Sequence, residues 1–98
     1  MYAGRKAKYN KFERKIEAEI DLHGLRLKEA QAEFAAFLEQ TLQADLRCVR
    51  IITGKGLHSA SGVGVINEMV VDILKAHKIK FRSGKPDEGG SGVVIVEF

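Results

Sequence analysis

The sequence predicts an α/β domain built as a two-layer sandwich: a four-stranded mixed sheet with two helices on one face, in the order β-α-β-α-β-β. Three observations predict it. Residues 17–22 alternate apolar and polar side chains with period two, as a strand with one face on a core does. Residues 25–42 and 65–77 repeat apolar side chains at three-and-four spacing, the pattern of helices lying on a sheet. A β-branched run at 48–53 and short segments at 79–82 and 93–98 complete the strands.

In chain order, Ala18, Ile20 and Leu22 fall on one side of the first strand, and Glu19, Asp21 and His23 on the other; Gly24 ends it. The first helix turns Leu27, Ala30, Phe34, Phe37, Leu38, Thr41 and Leu42 inward. Residues 44–47 make a short connection. The run 48–53 lacks good alternation, as expected of a more central strand. T-G-K-G at 53–56 breaks the chain, and a flexible stretch follows through Gly64. The second helix buries Val65, Ile66, Met69, Val70, Ile73 and Leu74, and closes on His77, where a cation suits the helix dipole. Residues 83–92 hold the one proline and G-G-S-G, a mobile connection into the last strand. Three parallel strands with right-handed crossovers and a final antiparallel strand satisfy this order. Phe34, Phe37, Ile66, Met69, Val70 and Ile73 are expected to meet the sheet face that carries Ile20 and Leu22.

A chain of 98 residues, 45% hydrophobic and 30% charged, fits one domain over 17–98 preceded by a basic arm over 1–16. It has no run of 18 apolar residues and no signal-peptide core, so neither a membrane span nor a secretory signal is expected in it. The lone Cys48 cannot form an internal disulfide or a thiolate zinc site, and reads as a buried residue of a reducing, cytoplasmic compartment. The net charge of +3 and pI near 9.1 lean towards an anionic partner. Arg5, Lys6, Lys8, Lys11, Arg14 and Lys15 crowd the first 15 residues against Glu13 alone. Such an arm is ordinarily solvated; with Tyr2, Tyr9 and Phe12 interleaved it can also track a phosphate backbone or stack on bases.

Ligands of parallel sheets bind where the turns leave the carboxyl ends of the strands. Those turns carry Asp21, His23 and Gly24; then Thr53, Gly54, Lys55, Gly56 and His58; then Arg82, Ser83 and Lys85. They are expected to converge at one sheet edge. Gly54 and Gly56 free backbone N–H groups to approach an anion, and Lys55 adds a charge, although the spacing is not that of a Walker loop. A plain strand-to-helix turn would look the same. Asp21 and His23 share a strand face about 6–7 Å apart along the strand. A carboxylate there can orient an imidazole that moves a proton during attack on a phosphodiester. An isolated D-x-H also has structural readings, in which Asp21 pairs with Arg26 or Lys55 and His23 satisfies turn backbone.

Taken together, I-D-L-H-G at 20–24, I-I-T-G-K-G-L-H-S at 51–59, G-V-G-V-I at 62–66 and G-G-S-G-V-V-I-V at 89–96 resemble the Smr (small MutS-related) domain family. The chain carries Thr53 where many members have histidine, which places weight on His23 or His58. The resemblance implies a fold like the C-terminal domain of translation initiation factor three. It also implies nucleic-acid binding, with endonuclease activity in some members on DNA and in others on messenger RNA at ribosomes. The expectation is an endonuclease favouring RNA over DNA nicking, with Asp21 and His23 catalytic. Thr53, Gly54, Lys55, Gly56, His58, Arg82 and Lys85 would hold phosphates. A binding module for nucleic acid or the ribosome, without catalysis, is the alternative. No metal site or cofactor is called for, a divalent ion is left open, and the sequence is silent on oligomeric state.

Overall fold

The chain is described by a computed structural model over residues 15–54 and 64–98. Its elements are β1 (Ala18–Asp21), α1 (Leu27–Gln43), β2 (Cys48–Ile52), α2 (Val65–Ala76), β3 (Lys80–Ser83) and β4 (Val93–Glu97). Each lies within two residues of its expected bounds. The helix α1 starts on Arg26, whose extended backbone presents its N–H to the Glu29 carboxylate at 3.1 Å. Glu29 thereby satisfies a donor that the helix itself leaves without a partner. Both helices stop on a residue in the left-handed conformation, Asp45 after α1 and Lys78 after α2. That turn lets Leu46 N–H reach Thr41 O at 3.1 Å and Ile79 N–H reach Leu74 O at 2.9 Å, closing the last carbonyls.

The sheet order is β1-β2-β4-β3, with β1 parallel to β2 and β4 antiparallel to both of its neighbours. The three strands expected to run the same way do so, but β4 is inserted between the second and third. The carboxyl ends of β1, β2 and β3 and the start of β4 therefore share one edge.

Leu22, Ala30, Phe34, Val49, Ile51, Ile66, Met69, Val70, Leu74, Val94 and Val96 form the core between sheet and helices, with Ile20, Phe37 and Ile73 packed against it. These include all the residues expected at that layer. Full burial of a Phe or Leu side chain contributes roughly 1.5–3 kcal/mol, so Phe34, Leu22 and Leu74 anchor the two layers. Leu27, Leu42 and Val65 are exposed despite their spacing. They sit at helix ends, beyond the reach of the sheet.

On the opposite face Cys48, Val93 and Ile95 form a second buried cluster, joined by Ile52 and by Ile16, a residue the sequence grouped with the arm. Burial pushes the Cys48 thiol pKa up, in keeping with a structural rather than a reactive cysteine. The connection 83–92, expected as a mobile loop, is built as two short 3-10 turns, Pro86–Glu88 and Gly90–Gly92. Glu88 ties it down: its carboxylate accepts the Lys85 N–H at 2.8 Å and two bonds from Arg82, at 2.7 and 2.9 Å. Among the described residues, no helix is long and apolar enough to cross a membrane.

Candidate functional site

Strand alternation sends Ile20 and Leu22 into the core and Asp21 to the helix-free face. The chain leaves the strand at Leu22, and Gly24, at φ +81°, turns it back so that Leu25 N–H bonds Leu22 O at 3.2 Å. His23 is left standing over the edge of the sheet. Its Nδ1 lies 2.5 Å from Asp21 Oδ1, and its backbone N–H donates to the same oxygen at 3.1 Å. Asp21 thus engages the His23 ring. The His23 hydrogen bond, with help from its backbone N–H and charge, holds the Asp21 carboxyl below the usual carboxylate range.

With Nδ1 donating to a carboxylate, the neutral imidazole keeps its lone pair on Nε2. The side chains are 64% and 50% exposed, so that nitrogen is open to a substrate. Such a pair can accept a proton at Nε2 while the carboxylate steadies the charge that forms.

The second turn comes up against the first. Gly54, at φ +83°, packs so closely under the histidine that a Cβ there would stand 3.3 Å from His23 Cβ. Thr53 is only 6% exposed. Its hydroxyl accepts from Asn67 Nδ2 at 3.2 Å and lies 3.3 Å from the carbonyls of Gly54 and Gly92. The Gly92 carbonyl also accepts the Thr53 and Gly54 N–H groups, at 2.9 and 3.1 Å. Thr53 therefore joins the second turn to α2 and to the segment before β4. Lys55, Gly56 and His58 lie outside the described residues.

Arg82 and Lys85 reach the same edge from β3. Arg82 is bidentate to Glu88 and 3.6 Å from Glu97 Oε2, contacts that push its pKa up and pull the Glu88 carboxyl down to about 2. Lys85 is exposed and caps the first 3-10 turn. Sequence reasoning missed Arg50, Glu88 and Asn67. Arg50 Nε donates to Glu19 Oε1 at 2.8 Å, Nη2 reaches the same oxygen, and Nη1 donates to the Glu88 carbonyl at 3.1 Å. A lone charge inside an apolar strand was the available signal for Arg50. Nothing local marks Glu88 or Asn67, whose partners lie on other elements.

Between His23 and the 3-10 turns runs an open groove of about 510 Å³, lined by His23, Arg50, Ile52, Gly54, Asp87, Glu88, Gly89, Gly92 and Val93. Among the described residues no three His, Cys, Asp or Glu side chains are grouped to hold a metal ion.

The Smr domain family model matches residues 20–98. The endonuclease MutS2 of Staphylococcus epidermidis is 39% identical over 85 residues, which cover 85% of this chain and 10% of that protein. That of Clostridium tetani is 36% identical over 97 residues, 97% of this chain and 12% of that protein. The chain thus spans about a tenth of the length of these relatives. Among solved structures, YdaL, a stand-alone small MutS-related protein from Escherichia coli, superimposes with a TM-score of 0.74 at 27% identity. The match covers 82% of this chain and 63% of that one. The Smr domain of Thermus thermophilus MutS2 gives 0.68 at 29% identity, covering 83% of this chain and 96% of that one.

Proposed function

The chain belongs to the Smr domain family, and from that membership we propose that it binds nucleic acid and cleaves its backbone, with RNA as the favoured substrate. The observation that carries this reading is the exposed His23–Asp21 pair, 2.5 Å apart and seated on Gly54. In the proposed reaction, Asp21 holds the Nδ1 proton and His23 Nε2 takes the proton of a ribose 2′-hydroxyl. The freed oxygen attacks the adjacent phosphorus, the bond to the 5′ oxygen breaks, and that oxygen takes a proton from water, whose hydroxide recovers the proton held at His23 Nε2. The fragments end in a 2′,3′-cyclic phosphate and a 5′-hydroxyl. Lys55 and Gly56, which follow Gly54 in sequence, are proposed to receive the phosphate, Gly54 serving by the absence of a side chain since its N–H is held by the Gly92 carbonyl, while Lys85 and the basic arm hold flanking phosphates.

RNA is favoured because its own 2′-hydroxyl serves as nucleophile, so an acid–base pair suffices where a deoxyribose would need an activated water. The MutS2 relatives carry the name endonuclease, which supports backbone cleavage as the reaction class. The test is incubation of the wild-type and His23→Ala proteins with labelled single-stranded RNA and DNA, with and without chelator. The expected result is RNA cleavage that survives the chelator and is lost in the variant. Cleavage unchanged in His23→Ala would overturn the mechanism, and binding with no cleavage would make the domain a binding module.

A further inference from the structure

The groove beside the histidine is left unused by that reaction, and its floor follows from the sheet register. Asp21 is paired across the sheet with Ile52, and Ile52 with Val93, so the row that begins at the carboxylate continues as two aliphatic side chains. The next row is Glu19, Arg50, Ile95 and Arg82. Here Arg50 is fixed by Glu19 and by the Glu88 carbonyl, its N–H groups turned to protein oxygens, and it is one of the residues lining the groove. The far wall is backbone: Gly89, at φ +118°, lies so close over Val93 that a Cβ would come within 2.4 Å of Val93 Cγ2.

Charge decides what such a groove takes. Arg50 and Arg82, guanidiniums of the helix-free face, are matched by Glu19, Glu88 and Glu97, and Asp87 adds a carboxylate to the groove wall. Among the described lining residues a phosphate would meet a guanidinium already matched and a nearby negative charge. An uncharged planar group meets Ile52 below, Arg50 beside it and Asp87 as an acceptor for its N–H groups. The volume of about 510 Å³ falls within the roughly 300–1,000 Å³ of small-molecule clefts, and it opens directly at His23 and Gly54.

We infer that this groove is a subsite for one unstacked nucleobase of a single strand, the base adjoining the phosphate held at His23. The base lies on Ile52 and beside Arg50, with Val93 buried beneath the Gly89 wall, and the backbone passes outside, over His23 and Gly54. Stacking of this kind tolerates different bases and requires that the base leave its helix, so the site selects single strands over duplex. The inference rests on the cleavage reading for the location of the phosphate, and it adds the substrate feature recognised.

The experiment uses the wild-type 98-residue chain and a short single-stranded RNA in which one abasic residue is walked along the sequence. Cleavage rate at the intact strand's cut site and affinity by fluorescence anisotropy are both read. An abasic residue at one position beside the cut is expected to lower kcat/KM by roughly 5- to 150-fold, the range for one stacked base. Changes further away leave it near unity. Ile52→Thr, which keeps a β-branched residue in the strand, should shrink the contrast between intact and abasic strands. Cleavage that persists with a flat profile along the walk overturns the subsite and leaves the cleavage reading standing. Failure to bind or cut any of the strands overturns both.

Discussion

Replacing Gly54 by alanine is expected to move His23 without unfolding the domain. The new Cβ would lie 3.3 Å from His23 Cβ, whereas carbon atoms rest at about 3.5–4.0 Å. The histidine must therefore retreat by roughly 0.2–0.7 Å. Alanine at φ +83° also costs about 1–2 kcal/mol of backbone energy. A 1 Å misplacement of a reacting group can lower the rate about 100-fold, which scales to a loss of roughly 3- to 30-fold here. Gly90→Ala supplies the control: its φ is +67° and its Cβ would meet nothing within 4 Å. Both variants should lose similar stability in denaturant titrations. Only Gly54→Ala should shift the His23 ring resonances in NMR spectra and lower kcat/KM on RNA. Equal ring resonances and equal cleavage in the two variants would refute the claim that Gly54 sets the position of the histidine.

Four other outcomes follow from the same geometry. Asp21→Asn leaves an exposed position folded but replaces the acceptor that orients His23, and cleavage should fall by roughly 10²–10⁴-fold in single-turnover assays. In wild type the Asp21 carboxyl should titrate below the ordinary range by carbon-detected NMR and move up in His23→Ala, since the His23 hydrogen bond is what lowers it. Glu88→Gln removes the charge that holds Arg82 and should cost roughly 1–2 kcal/mol at neutral pH. Because the Glu88 pKa is depressed from 4.5 to about 2, its contribution is full above 4.5, falls as pH drops through about 2 and is then exhausted. The stability difference between wild type and variant should close over that window in urea titrations. Thr53→Val keeps the volume but loses the hydroxyl between Asn67 and Gly92, at a cost of about 1 kcal/mol by chemical denaturation.

The order of elements, the core facing the helices and the convergence at one edge were legible in the residues themselves. Periods of two and 3.6 are local properties, and hydrophobic burial translates them into faces whatever the long-range pairing. The closeness of Asp21 and His23 was legible from their spacing of two, although β1 ends at Asp21 and it is the turn after Leu22 that carries the His23 ring back to the carboxylate. The connection 83–92 was misjudged because its glycines and proline describe the backbone's freedom, and say nothing of the Glu88 carboxylate that removes it.

What only the tertiary structure decided is which distant groups meet. The insertion of β4 between β2 and β3 brings Gly92 under Thr53 and sets Ile95 between Arg50 and Arg82. The pressing of Gly54 against His23, the clamp on Arg82 and the groove over Ile52 and Val93 all follow from that one choice of neighbours. Strand order is a competition among pairings of similar strands. It is settled by the fit of side chains across the sheet, which no single segment carries.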